Sequence, residues 1–177
     1  MLTDEGVVLA RRSWGEADRI LVVYAKKAGK LKLLARGVRR PKSRKRGHIE
    51  PFSKIYFSYF EGKGISEMVE VEVKEAYRIV REDLQKTSVA YFLCESVGRL
   101  TREGEGNQAL YELLVNNLAK LGRERRLKKL RDDFTVELLV NLGFWEAGVD
   151  IGDKDKLLER VAEREFGSIR VGKKLQA

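Results

Sequence analysis

The sequence of 177 residues predicts an α+β protein, with an N-terminal five-stranded OB-type β-barrel over residues 1–80 and a C-terminal all-helical domain over residues 81–177. Three observations predict it. Apolar residues alternate with period two up to Val73 and recur with helical spacing from Glu82 onward. The longest break between the early strands is a dense run of cations. The charge is also divided unequally. Residues 1–82 hold 19 Lys+Arg and 11 Asp+Glu, a net +8. Residues 83–177 hold the remaining 17 and 16, a net +1. A basic binding domain joined to an electrically balanced one is the pattern this split describes.

The strands follow in order. Gly6–Arg12 is a short apolar run ending in basic residues. Asp18–Ala25 is rich in β-branched and aromatic side chains, which suit a pleated, half-buried surface. Lys26–Gly29 reads as a turn closed by glycine. In Lys30–Ala35, Leu31, Leu33 and Ala35 point one way and Lys30, Lys32 and Leu34 the other. Ser53–Phe60 places Ile55, Phe57 and Tyr59 on the inner face and Tyr56, Ser58 and Phe60 on the outer. After a glycine turn at Glu61–Gly64, Met68–Val73 alternates, with Val69, Val71 and Val73 inward and Glu70 and Glu72 outward. Five largely sequential strands fit a small barrel of the OB type, with an SH3-like barrel as the alternative.

The helices come next. Leu84, Tyr91, Cys94, Val97 and Leu100 form one stripe. Asn107 is placed to cap a helix carrying Leu110, Leu114, Leu118 and Leu121, closed by Gly122. Leu127, Leu130, Phe134 and Leu138 mark a third helix ending near Gly143. Asp153 is placed to cap a fourth, with Leu157, Leu158 and Val161. These elements would pack as a small bundle.

Composition excludes several classes. With 43% apolar residues the chain can bury a core, so it is no disordered basic tail. Its one cysteine, Cys94, rules out an internal disulfide and a four-cysteine zinc site, and its place on an apolar helix face reads as a buried small hydrophobe. The longest apolar run, Ile20–Ala25, is too short to span a bilayer, and the start M-L-T-D-E-G lacks the features of a signal peptide. A soluble cytoplasmic protein is expected.

The densest feature is Arg36–Arg46, R-G-V-R-R-P-K-S-R-K-R, in which seven of eleven residues are Lys or Arg and none is acidic. Residues 26–54 hold twelve Lys+Arg against one acid, Glu50. Such a cluster repels itself on a compact barrel unless an anion neutralises it, which points to a flexible loop that grips the phosphates of a nucleic acid. Arginine bridges phosphate oxygens with paired hydrogen bonds and lysine supplies point charge, giving affinity without sequence selection. Trp14, Tyr24, Phe52, Tyr56, Phe57, Tyr59 and Phe60 interleave with this charge. Those exposed on the barrel are candidates to stack on bases. A second basic run, Arg123–Arg131, reads first as the solvated face of a helix and second as an accessory binding face.

Enzymatic signals are thin. His48 is the single histidine and sits in the basic loop, where neighbouring charges would keep it solvated. The string G-E-G-N-Q-A at Gly104–Ala109 looks like a dinucleotide fingerprint but follows a helix instead of a strand. No P-loop pattern occurs. Asp150, Asp153 and Asp155 lack the glycine and terminal Glu of a calcium loop.

The string itself carries a resemblance. The segments E-G-V-V-L-A-R-R-S-W-G-E-A-D-R-I (Glu5–Ile20), G-K-L-K-L-L-A-R-G-V-R-R-P-K-S-R (Gly29–Arg44) and E-P-F-S (Glu50–Ser53) resemble the bacterial recombination mediator family RecO in order and spacing. Together they cover most of residues 5–60. The helical half is similar in outline, most visibly at F-T-V-E-L-L-V-N-L-G-F (Phe134–Phe144). The resemblance implies an OB barrel followed by a helical domain. It implies binding of single- and double-stranded DNA without marked sequence preference and annealing of complementary strands. It also implies partnership with RecR and the single-strand-binding protein to load recombinase at gaps. It implies no catalysis and no nucleotide cofactor, and the lack of further cysteines sets aside a metal. The family's DNA-contacting cations carry over onto Lys30, Lys32, Arg36, Arg39, Arg40, Lys42 and Arg44, with Lys45 and Arg46 extending the cluster. Many family members carry a four-cysteine zinc module after a segment like Leu142–Trp145, where this sequence has Glu146–Lys156 with no cysteine. Two readings stand beside this one: an RNA-binding or ribosome-associated OB protein, and a metal-dependent nuclease.

Overall fold

The computed structural model describes residues 1–163 and 166–176, so residues 164, 165 and 177 of the expected helical domain lie outside the described residues. The strands are β1 (Leu2–Trp14), β2 (Asp18–Ala25), β3 (Gly29–Ala35), β4 (Lys54–Phe60) and β5 (Ser66–Glu75). They close into a barrel in the order β1-β2-β3-β5-β4. Neighbours are antiparallel except β3 and β5, which run parallel through Leu33↔Ser66 and Leu34↔Glu67. This is the five-stranded OB-type barrel that the alternation predicts. Its core holds Val8, Leu21, Val23, Leu33, Ile55, Phe57, Tyr59 and Met68.

Length is what β1 adds to the sequence expectation. Its first half pairs with β4, from Leu2↔Tyr59 to Val7↔Lys54, and its second half continues along β2 to Trp14↔Asp18. One long strand thus closes the barrel and continues into the β1–β2 hairpin, whose second strand is paired with β3 as far as Arg19↔Ala35. The expected face of β5 needs one correction. Ser58 pairs with Glu70, but the next residue of β4, Tyr59, pairs with Met68. Val69 is the extra residue of a β-bulge, which resets the alternation. Met68 therefore takes the inward place expected of Val69 and is fully buried, while Val71 and Val73 pack against the core as expected.

The chain clusters into two compact units, one of residues 1–76 and 101–111 and the other of residues 77–100 and 112–177. The helices are α1 (Arg78–Arg81), α2 (Leu84–Leu100), α3 (Gln108–Leu121), α4 (Leu127–Asn141), α5 (Lys154–Ala162) and α6 (Gly167–Gln176). Asn107 Oδ1 accepts the Leu110 N–H at 2.9 Å and Asp153 Oδ1 accepts the Lys156 N–H at 3.1 Å, so both expected caps are in place. The α2 stripe is corrected. Leu84 and Tyr91 are exposed, and the buried face is Val89, Ala90, Phe92, Leu93, Cys94, Ser96 and Val97. α2 packs against α1, α4, α5 and α6. A helix packed by four others buries a broad face, and its outermost apolar positions fall outside it. Cys94 is buried as expected, and burial pushes its thiol up to about 12.

Candidate nucleic-acid interface

The β3–β4 connection is held at two fully buried side chains, Val38 and Ile49, with the cations between them. Its entry is fixed by polar contacts. The Gly37 N–H donates to Asp18 Oδ1 at 2.7 Å and the Arg39 N–H to the Ala17 carbonyl at 2.8 Å. Gly37 itself turns at φ 63°, a left-handed conformation that glycine adopts without a Cβ penalty. Beyond it the backbone coils through successive turns. Arg40 donates to Gly37 at 3.1 Å, Ser43 to Arg40 at 2.9 Å, Arg46 to Ser43 at 3.4 Å and His48 to Lys45 at 3.0 Å. Pro41, which has no N–H to give, falls between the donors. The loop expected to be flexible is thus a wound segment whose backbone bonds are satisfied locally.

His48 corrects a further expectation. It is half-buried, and its Nδ1 accepts the Val73 N–H at 3.2 Å, fastening the end of the loop to β5. Its role is structural support, not display among solvated charges.

The nine cations named from the sequence fall into two groups. Arg39, Arg40, Lys42, Arg44 and Arg46 are exposed on the wound segment. Arg39 Nη1 lies 3.2 Å from the Gly15 carbonyl and ties the loop to the β1–β2 turn. The other four are engaged by the protein. Arg36 Nε donates to Glu67 at 2.8 Å, and Lys45 Nζ lies 3.5 Å from the Met68 carbonyl. On β3, Lys30 Nζ donates to the Thr101 carbonyl and Lys32 pairs with Glu103. Burial lowers the Lys30 pKa, with Glu103 acting in the opposite sense.

Thr101–Asn107 explains the glycine string. Gly104 N–H donates to the Lys30 carbonyl at 3.0 Å, and Glu103 forms a parallel bridge with Lys30. A Cβ on Gly106 would overlap the Lys27 carbonyl, and one on Gly29 would overlap Glu105. The two backbones approach so closely that only glycine fits at either position. The residues that resemble a dinucleotide fingerprint thus serve packing against the β2–β3 turn.

Three cations escaped the sequence reading: Arg11, Arg12 and Arg19. They are scattered along two strands, and only register brings them together near the hairpin end, where Ser13 pairs with Arg19 and Trp14 with Asp18. Arg11 pairs with Glu50. The Arg19 pKa is lowered, first by burial and then by Arg11, with Glu50 opposing and Arg39 and Arg46 adding, so cations of the hairpin and of the loop both act on this side chain. The only sequence signal was the basic end of β1 followed by a tight turn. Of the aromatics, Ile55's neighbours Phe57 and Tyr59 are buried with Tyr24 and Phe52, whereas Trp14 (50%), Tyr56 (43%) and Phe60 (54%) are exposed.

The second basic run divides. The helix starts at Leu127, so Arg123–Arg126 precede it. Arg131 is half-buried, with its guanidinium 4.2 Å from the Phe92 ring centroid and an ion pair to Asp155. Lys129 pairs with Asp133 at 2.6 Å. This is largely the solvated, structural surface first expected. Among the described residues, no group of three or more His, Cys, Asp or Glu side chains gathers to hold a metal ion.

Residues 1–77 match the family model described as recombination protein O N terminal, and residues 81–145 match recombination protein O C terminal. The chain is similar to proteins named DNA repair protein RecO. One from Alkaliphilus metalliredigens is 35% identical over 140 residues, covering 78% of this chain and 57% of the relative. One from Pelotomaculum thermopropionicum is 37% identical over 117 residues, covering 66% and 46%. One from Symbiobacterium thermophilum is 34% identical over 141 residues, covering 79% and 56%. The chain spans about half the length of the curated relatives it matches.

Proposed function

The chain belongs to the recombination protein O (RecO) family, and from that premise we propose that it is a recombination mediator in DNA repair that grips DNA phosphates with the wound basic segment of its barrel. In this reading residues 1–80 are the DNA-binding domain and residues 81–177 the helical domain. The segment binds single- and double-stranded DNA without sequence preference and anneals complementary strands. With RecR and the single-strand-binding protein it helps load recombinase at gaps in the cytoplasm. It works without catalysis, metal or cofactor.

The observation that carries this reading is the display of Arg39, Arg40, Lys42, Arg44 and Arg46 between two buried anchors. An anchored cluster has already overcome its self-repulsion in the fold and needs no rearrangement to receive a phosphate chain. Arg36, Lys30, Lys32 and Lys45 add to the field while engaged by protein groups. The mechanism is charge screening. Two complementary strands repel each other, and a cationic surface that neutralises both lets them approach. Binding remains salt-sensitive, so strands can exchange.

The test is charge reversal. R39E/R40E/R44E should abolish binding to a labelled single strand while the far-ultraviolet circular dichroism stays unchanged. Undiminished binding would move the site, with Arg123–Arg131 the first alternative. Competition by an RNA strand tighter than DNA would favour the RNA-binding reading, and cleavage of labelled DNA with magnesium or manganese would favour the nuclease.

A further inference from the structure

The β1–β2 hairpin ends at Trp14, one pair beyond the last β2–β3 pair, Arg19↔Ala35, and its indole is half-exposed there. A large apolar ring at a hairpin tip contributes little to a core and exposes apolar area to water. Its surroundings are cationic. The Arg12 guanidinium lies 5.7 Å from the ring centroid. Arg39 reaches the carbonyl of Gly15, the next residue, and Arg39 N–H holds the same turn through Ala17. Of the two acids beside the tip, Asp18 already accepts the Gly37 N–H, and Glu16 is exposed.

We propose that Trp14 is a base-stacking platform that gives this surface a preference for single strands, resting on the phosphate-grip reading above. Phosphate contacts alone treat single and double strands alike in kind, whereas an exposed indole can pair only with a base that is free of its duplex partner. The geometry supplies both halves of such a site within one turn: Arg12 and Arg39 for the backbone and the indole for the base. Tyr56 does not offer the same combination. It lines a groove with Arg44 and Lys45, but Glu70 and Glu72 line that groove too and repel a phosphate chain. The fastening of the turn to the basic loop also fixes the backbone that carries the indole before the strand arrives, which lowers the ordering cost of stacking.

The experiment uses the full chain with W145F, which leaves Trp14 as the single indole, and a single-stranded oligonucleotide, its duplex and an abasic strand of equal length. Single-strand addition should quench Trp14 fluorescence, and the abasic strand should not. W14A should weaken single-strand binding by about 5- to 150-fold. W14F should recover most of that loss, and duplex and abasic affinities and the salt slope should stay as in the parent. Single-strand affinity equal in W14A and the parent, or equal quenching by the abasic strand, would overturn the stacking role and leave the phosphate grip standing. Failure of the parent to bind any of the three DNAs would overturn the grip itself.

Discussion

Neutralising two exposed cations of the wound segment, as R40Q/R44Q, isolates the phosphate term because glutamine keeps much of the side chain and removes the charge. The magnitude follows from the structure. Arg40, Lys42, Arg44 and Arg46 are exposed, and no ion pair among the described residues holds them. If each neutralises one phosphate of a single strand, log affinity should fall against log salt with a slope of roughly −3. Between 50 and 200 mM salt that amounts to about a 50-fold loss of affinity. The double variant keeps two contacts, so its slope should fall to about −1.4 and its loss over the same range to about 7-fold. Fluorescence anisotropy of an end-labelled strand, titrated at four salt concentrations, reads both numbers. A parent slope near zero, or the same slope in parent and variant, would refute the assignment of phosphate contact to this segment.

Three other perturbations bear on the supports of the site. Glu103→Gln releases the Lys32 ammonium from its exposed ion pair. It should steepen the salt slope by about 0.7 and tighten binding at low salt, and weaker binding would show that the pair positions Lys32. Gly106→Ala drives a methyl into the Lys27 carbonyl and should destabilise the barrel by about 1–3 kcal/mol in urea unfolding. Unchanged stability would mean that Thr101–Asn107 does not sit against the β2–β3 turn. In α2, Glu95 accepts the Gly167 and Ser168 N–H groups at 3.1 and 2.8 Å and pairs with Arg99 at 2.7 Å. Burial works to raise its pKa, but the Ser168, Gly167 and Arg99 contacts outweigh burial and hold it low. Its stabilisation is present above the ordinary carboxylate range and is lost as pH falls through the lowered folded value. Glu95→Gln should therefore flatten the acid side of the stability profile, measured as urea midpoints against pH. A parallel profile would show that this carboxylate does not hold the start of α6.

Much of the barrel was legible because a strand with one wet face announces itself in alternation. Asp18–Ala25 coincides with β2, and Ile55, Phe57 and Tyr59 are the buried face of β4. The exchange of Val69 for Met68 was not legible, since a bulge depends on what the partner strand does and leaves no mark on composition. The α2 stripe failed for a related reason: seven-residue spacing picked Leu84 and Tyr91, but the number of helices packed around α2 decides which face is inside. At the site, charge density found the wound segment from sequence because the cations are adjacent in the chain. Arg11, Arg12 and Arg19 escaped because strand register assembles them. The engagement of Lys30 and Lys32 escaped because Thr101 and Glu103 lie some 70 residues away. The glycines of Gly104–Ala109 drew attention for the wrong chemistry: a close backbone approach and a phosphate cradle both call for glycine.

Annealing tests the central claim most directly. Two complementary strands, each labelled with one member of an energy-transfer pair, are mixed at low salt with the protein or with R39E/R40E/R44E, in the presence and absence of RecR. A phosphate-screening surface predicts that the parent protein accelerates pairing well above the spontaneous rate, that rising salt removes the acceleration, and that the folded reversal variant gives no acceleration. Equal acceleration by parent and variant, or none by the parent at any salt concentration, would contradict it.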